Sequence, residues 1–183
     1  GLQSVHISGG EPTLRKDLET ILEIISEKGL SSRMVTNGTM LCEDRIMALL
    51  SFGLRGITFS LDSADPSQND FLKGRKDSWS KTVESIKIAS KLKLKYQLQI
   101  GINCVVSRYN LDQLDKIVRL SYELGSDWVR LSPLDNFQYS LHGVNKLTVK
   151  LFEREEILKY NGDMKQKLNY FREQKGFKIF PEH

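Results

Sequence analysis

The sequence has 183 residues, of which 39% are hydrophobic and 27% are charged, and its formal net charge is +4. This composition is typical of a globular domain, and no apolar run approaches the roughly 18 residues that span a bilayer, which excludes a membrane-spanning helix. No signal-peptide pattern is present and the two cysteines, Cys42 and Cys104, are widely separated, so we expect a cytoplasmic protein with free thiols and no metal site of its own.

The basic residues are scattered, and their densest group is the run KLKLK at 91–95. This run is interpreted as the solvated end of a helix rather than as a nucleic-acid surface, because no aromatic or glycine-rich RNA motif accompanies it. Nucleic acid is therefore not an expected partner.

A strand followed by a helix is the predicted unit of the chain, and it occurs five times. In chain order, the units are strand 4–8 with helix 14–29, strand 31–38 with helix 42–53, strand 56–62 with loop 63–77 and helix 78–93, strand 98–106 with helix 110–125, and strand 127–134 with an irregular stretch and helical segments to 176. Thr13 is the expected N-cap of the first helix, and Gly29 is its expected C-terminal stop. The alternation predicts an α/β fold with parallel strands joined by helical crossovers. We expect one domain over 1–183, with the strands within 1–135 and a C-terminal loop and helical segment over 136–183.

Three of the predicted strands alternate between apolar and polar residues, although parallel strands covered on both faces are usually apolar throughout. Their polar positions are Thr58, Ser60 and Asp62, then Gln99, Gly101 and Asn103, then Trp128, Arg130 and Ser132. Helices are expected to cover the apolar faces, so the polar faces point toward the inside of a curved sheet. Either these groups surround water and one another, or they bind a polar ligand. The ligand is preferred, because the polar residues crowd toward the C-terminal strand ends, where βα barrels place their chemistry.

The segment SGGEP, residues 8–12, follows the first predicted strand. Gly9 and Gly10 let a ligand approach the backbone, Glu11 adds a negative charge, and Pro12 ends the strand. An ammonium group, as in an amino-acid ligand, fits such a site, whereas the glutamate would repel a phosphate. Taken alone, the segment is equally consistent with an ordinary turn.

Five segments occur in order at the ends of successive strands: HISGGEPTLRKDL, MVTNGTML, ITFSLDSADPSQNDFLKGRKDSWSKTVESI, GINCVVSRYNLDQL and WVRLSPL. In this order they resemble the radical S-adenosylmethionine (radical SAM) superfamily over about residues 1–135. The branch they resemble most is that of the molybdenum-cofactor cyclisation enzyme and the SPASM-type peptide maturases. The resemblance implies a partial TIM-like (βα) barrel of parallel strands that lacks the family's first strand.

The resemblance also implies which residues bind S-adenosylmethionine. The methionyl amino group would be held by Gly9, Gly10, Glu11 and Pro12, and Thr36, with Asn37 beside it, would line the site. Ser60 would meet the methionyl carboxylate, and Asp62 would end the same row. Asn103 would meet the ribose hydroxyls. Arg130 or the Leu131 backbone would contact the adenine, and the alternative for Arg130 is an internal ion pair with Asp62 or Glu11. The resemblance assigns no catalytic residue.

The chain departs from the family's pattern in one respect. The family holds a [4Fe–4S] cluster with three cysteines spaced C-x3-C-x2-C, and this sequence has no such motif. We expect the motif upstream of Gly1 in a longer protein, so that the chain alone would be inactive. The alternative is a degenerate relative without the cluster.

For the longer protein, the resemblance implies an enzyme that cleaves S-adenosylmethionine reductively and abstracts hydrogen from its substrate. Its expected partners are a small-molecule or peptide substrate, preferably a peptide, and an electron donor such as flavodoxin or ferredoxin. Two alternatives are retained: a cluster-less binding or interaction module of the same fold, and an unrelated βα-barrel enzyme with a phosphate site.

Overall fold

The structure is a computed structural model, and it describes residues 1–107, 109–133, 166–173 and 175–180. The strands are β1 (Ser4–Ile7), β2 (Ser31–Thr36), β3 (Leu54–Ser60), β4 (Gln99–Val106), β5 (Trp128–Pro133) and β6 (Lys178–Phe180). The helices are α1 (Leu18–Glu27), α2 (Glu43–Ser51), α3 (Pro66–Lys73), α4 (Ser78–Tyr96) and α5 (Leu114–Glu123), with short 3-10 turns at Pro12–Leu14 and Leu111–Gln113, and residues 166–173 are also helical.

All six strands form one parallel sheet in the order β1-β2-β3-β4-β5-β6. The α/β class and the parallel sheet of a partial barrel are therefore confirmed, but the expectation of five strands is wrong. The sixth strand, Lys178–Phe180, pairs with β5. Within the described residues β1 pairs on one side only, which agrees with its expected position at an edge of the sheet.

The two faces of the sheet differ as the alternation predicts. Side chains on one face are fully buried under the helices, including Ile57, Phe59, Ile102 and Val129. The opposite face carries Thr58, Ser60, Asn103 and Arg130, which are half-buried or exposed. The apolar core thus lies between the sheet and the helices, and the polar face is left for other contacts.

The segment 63–77, which was expected to be a loop, contains α3. Asp65 caps this helix by accepting a hydrogen bond from the Gln68 backbone N–H at 2.8 Å, and Pro66 occupies its first turn. Gly74 ends it in the left-handed conformation at φ 61°. These are strong capping residues, and they stabilise a helix whose apolar stripe is too short to be seen in the sequence.

The first helix begins later than predicted. Glu11, not Thr13, caps the first turn after β1, because its side chain accepts a hydrogen bond from the Thr13 backbone N–H. The α-helix itself starts at Leu18 and stops before Gly29, which has φ 67° and confirms the expected stop. Among the described helices, none combines the length and apolar content needed to cross a bilayer. An irregular stretch was expected after residue 135, and up to residue 165 it lies outside the part of the chain that the structure describes.

Candidate functional site

Glu11 ties the ends of β1 and β2 together. One carboxylate oxygen, Oε1, accepts hydrogen bonds from the Thr13 hydroxyl at 2.7 Å, the Thr13 backbone N–H at 3.2 Å and the Thr36 hydroxyl at 2.7 Å. The other oxygen, Oε2, accepts one from the Asn37 backbone N–H at 2.8 Å. Thr36 is 2% exposed and also accepts from the Gly38 N–H at 3.0 Å. Thr36 therefore positions Glu11, and Oε2 keeps capacity to accept from a further donor.

Gly9 and Gly10 lie beside this carboxylate in the chain, and both are exposed. A Cβ built at either position would meet no atom within 4 Å, so space is open against the backbone. Gly9 has φ 133°, which other residues rarely adopt. Pro12 is buried and starts the 3-10 turn that follows. The segment 8–12 is thus both a turn and an accessible stretch of backbone at the C-terminal edge of the sheet.

Ser60 is the last residue of β3, and it lies beside Asn103 of β4. They are direct register partners, and Arg130 is the partner of Asn103 on β5. The Oδ1 atom of Asn103 is buried and has no hydrogen-bond partner. The Ser60 hydroxyl also has no bond to any described residue. Buried polar groups normally have partners, so this row has capacity for a polar ligand.

A small cavity of about 110 Å³ adjoins Ser60. Two cations that sequence reasoning did not single out, Lys73 and Arg75, line it together with Asn37 and Thr39. Lys73 comes from the end of α3 and Arg75 from the following turn, and Arg75 donates to the Thr39 hydroxyl at 3.4 Å. The run KGR at 73–75 was the sequence signal that could have indicated them. A hydroxyl beside two cations is suited to binding a carboxylate.

Asp62 is occupied by protein partners. Its Oδ1 accepts from the Val105 backbone N–H at 2.9 Å, and its Oδ2 lies 2.7 Å from the Lys73 ammonium. Its backbone is held as well, since its N–H donates to Asn69 and its carbonyl accepts from Asn110. Asp62 therefore fixes the end of β3 and orients Lys73.

Arg130 makes no ion pair with Asp62 or Glu11, so that alternative is wrong. Its guanidinium carbon lies 5.9 Å from the ring centroids of both Trp128 and Phe180. It is exposed, and its planar group is available to stack on a further ring.

The two cysteines are free, as expected, and are in different environments. Cys42 is exposed, whereas Cys104 is buried, and burial raises the pKa of the Cys104 thiol far above its usual range. Within the described residues, no group of three or more histidine, cysteine, aspartate or glutamate side chains could hold a metal ion. These residues do not fit an iron–sulfur cluster, which needs several thiolates.

The structure thus brings most of the predicted residues to one edge of the sheet, though in two roles. Gly9, Gly10, Ser60 and Asn103 present unpartnered or accessible groups. Glu11, Thr36 and Asp62 are engaged in contacts with their neighbours.

Comparison with known proteins adds to this geometry. The family model described as the Radical SAM superfamily matches residues 1–121. The PqqA peptide cyclase of Bradyrhizobium diazoefficiens is 27% identical over 168 residues, which cover 92% of this chain and 43% of that protein. The PqqA peptide cyclase of Ruegeria pomeroyi is 32% identical over 126 residues, which cover 69% of this chain and 33% of that protein. The chain therefore spans less than half the length of these curated relatives.

Among solved structures, the crystal structure of Streptococcus suis SuiB has a TM-score of 0.73 at 19% identity, covering 96% of this chain and 38% of that chain. SuiB has also been solved bound to S-adenosylmethionine and bound to the precursor peptide SuiA. At this identity the likeness concerns the fold alone.

Proposed function

The chain belongs to the radical SAM superfamily, and on that premise we propose that it is the S-adenosylmethionine-binding part of an enzyme that modifies a peptide. Membership in this superfamily indicates an enzyme and implies S-adenosylmethionine and a [4Fe–4S] cluster as its cofactors. The peptide substrate, and with it a place in the SPASM-type maturase branch, is supported by the likeness to two PqqA peptide cyclases. The SuiA-bound form of SuiB is a further fold-level analogy.

The observation that carries the proposal is the row formed by Ser60 and Asn103. Both residues face the same side of the sheet in register, and neither side chain is satisfied by the described protein. In the proposed complex Asn103 binds the ribose hydroxyls, and Arg130, or the Leu131 backbone, contacts the adenine. The exposed guanidinium of Arg130 and its two aromatic neighbours support a flat ligand at that position.

The methionyl end is proposed to lie toward β1 and β2. The cavity beside Ser60 receives the carboxylate, since Arg75 supplies a matching charge and Lys73, which is paired with Asp62, supplies a further donor. The amino group binds to the backbone at Gly9 and Gly10 and to Glu11 Oε2, which accepts only one hydrogen bond from the described residues. Pro12, Thr36 and Asp62 act as positioning residues, because their side chains hold the segments that carry these contacts.

S-adenosylmethionine and the cluster together supply abstraction of a hydrogen atom from the substrate. The described residues do not hold the cluster, so its ligands and an electron donor such as flavodoxin or ferredoxin belong to the proposal for the whole protein. The proposed contribution of this chain is to orient S-adenosylmethionine along the sheet edge and to bind its ammonium and its carboxylate with different groups.

Isothermal titration of the protein with S-adenosylmethionine tests the proposal. Asn103→Ala removes a neutral polar contact of about 0.5–1.5 kcal/mol, so affinity should fall by roughly three- to tenfold. Gln99→Ala is the matched control, because Gln99 lies on the same face of the same strand, four residues closer to its start. Equal affinity of the wild type and Asn103→Ala, or an equal loss in both variants, would remove Asn103 from the site. Failure of the wild-type protein to bind S-adenosylmethionine would overturn the proposed function.

A further inference from the structure

A second, larger cavity lies on the polar face of the sheet and extends from Asn103 toward the N-terminal ends of the strands. Its volume is about 380 Å³, and its lining includes three permanent cations, Arg33, Arg130 and Lys178. Trp128 and Phe180 form apolar walls, and no carboxylate lines it among the described residues. A concave surface with one sign of charge concentrates ligands of the opposite sign.

Two glycines of the central strands lie beside residues that line this cavity. Gly101 is the register partner of Trp128, and a Cβ at Gly101 would lie 2.1 Å from the Trp128 ring. Gly56 is the partner of Arg33, and a Cβ there would lie 3.0 Å from Arg33 Cγ. Because both positions lack a side chain, Arg33 and Trp128 lie across the sheet surface from opposite sides. The absence of a side chain at Gly56 and Gly101 thus leaves room over β3 for Arg33 and over β4 for the Trp128 ring.

The cations of this cavity have no described counterion. Arg33 and Lys178 make no hydrogen bond or ion pair with any described residue, and the contacts of Arg130 are with aromatic rings. Like charges that line one cavity repel, and an anion between them relieves that repulsion. Arginine and lysine beside aromatic walls are suited to a carboxylate carried on a short carbon stem.

S-adenosylmethionine, as placed above, accounts for the part of this cavity that Asn103 and Arg130 line, but it supplies no counterion for Arg33 and Lys178. Its single carboxylate is already assigned to the pocket of Ser60, Lys73 and Arg75. In the register of the sheet, Lys178 lies two residues closer to the N-terminal ends of the strands than Asn103, and Arg33 lies four residues closer. At about 3.3 Å per residue, Lys178 and Arg33 are therefore about 7 and 13 Å from the level of Asn103, measured along the strands.

We propose that this cavity binds an acidic side chain of the peptide substrate, with Arg33 and Lys178 holding its carboxylate. The inference rests on the proposed function, since it names a feature of the substrate of the same enzyme. It makes Arg33 and Lys178 specificity-determining residues. A glutamate or aspartate would enter between the ring of Trp128 and the cations.

Trp128 provides the readout. The chain has two tryptophans, so a Trp79→Phe protein reports fluorescence from Trp128 alone. The probes are the peptides acetyl-Ala-Glu-Ala-amide and acetyl-Ala-Gln-Ala-amide, titrated at low ionic strength. We expect the glutamate peptide to bind and to change the Trp128 emission, and the glutamine peptide to bind at least about tenfold more weakly, since one charge-assisted contact has that magnitude.

Three charge variants complete the experiment. Arg33→Gln and Lys178→Gln should each weaken binding of the glutamate peptide by about tenfold. Lys91→Gln removes the same charge from an exposed position of α4 and should leave binding unchanged. Equal binding of the two peptides, absence of binding by both, or equal losses in all three variants would each overturn the proposal. S-adenosylmethionine should bind Arg33→Gln and Lys178→Gln as it binds the parent protein, so failure here is separable from failure of the proposed function.

Discussion

Replacing Glu11 by Gln should lower the free energy of unfolding of the protein even when no ligand is present. The carboxylate of Glu11 accepts four hydrogen bonds from three residues, namely Thr13, Thr36 and Asn37. A glutamine amide can keep its oxygen toward Thr13 and Thr36, but its NH₂ group then faces the Asn37 N–H, and two donors meet. The variant therefore loses one acceptor outright and weakens the others by removing their charge.

The size of this loss in stability follows from the hydrogen bonds that Glu11→Gln changes. An N–H left without its partner costs about 1–3 kcal/mol when buried, and the position here is partly buried. Together with the weakened bonds of Thr13 and Thr36, we expect a loss of about 2 kcal/mol in the free energy of unfolding. For a urea m-value of about 2 kcal/mol/M, the midpoint should fall by about 1 M.

Urea unfolding followed by circular dichroism measures this loss. Glu84→Gln, at an exposed position of α4, is the matched control, and it should lie within about 0.5 kcal/mol of the parent protein. A double-mutant cycle with Thr36→Val should show coupling, because the two side chains share a 2.7 Å bond. If Glu11→Gln unfolds at the midpoint of the control, Glu11 does not link β1 to β2, and the turn is held by its backbone alone.

Three further outcomes follow from single contacts. Gly101→Ala should cost about 1–3 kcal/mol of stability, because its Cβ would lie 2.1 Å from the Trp128 ring; adding Trp128→Ala should remove that specific penalty, and urea unfolding of the two single variants and the double variant checks this. The pKa of Asp70 is lowered chiefly by the Trp79 backbone N–H and also by the Ser78 hydroxyl, so the carboxylate stabilises the fold above the unfolded pKa, near 3.9, and the effect is lost as the pH falls through the lower folded value. Asp70→Asn should therefore be less stable than the parent at pH 7 and equal to it in the acid range, and a gap that persists there would contradict the assignment. Iodoacetamide should label Cys42 in the native protein and leave Cys104 unmodified, since Cys104 is buried and its thiol pKa is raised; peptide mass spectrometry distinguishes the two sites.

Most of the strands and helices could be predicted from the sequence, because their apolar residues recur with a regular period. The alternation in β3 and β4 follows from the two-residue repeat of a strand, and it correctly placed Ser60 and Asn103 on one face. In contrast, β6 has three residues, and it is a strand because β5 offers a partner about fifty residues earlier in the chain. No local pattern carries that information. The helix α3 was missed for a related reason, since its signal lies in its caps rather than in an apolar stripe.

The side-chain contacts of the site were the least predictable part. Glu11 and Thr36 are 25 residues apart in the chain, yet their atoms lie 2.7 Å apart. The sequence indicated that both belong at one edge of the sheet, but it gave no means of telling a ligand contact from a contact between them. That distinction depends on which lone pairs remain free after folding, and it requires the full set of hydrogen bonds.

The segment after β3 shows how such contacts relate stability to binding. Asp62 bonds through its N–H to Asn69 of α3 and through its carboxylate to Val105 of β4 and to Lys73. The end of β3 is therefore clamped between a helix and a neighbouring strand, two residues beyond Ser60. Because the same carboxylate orients Lys73 at the edge of the Ser60 cavity, the contacts that fix the strand end also position the cation proposed to meet the ligand. An acidic residue that is bonded to its protein neighbours thus determines where a positive charge lies in the candidate site.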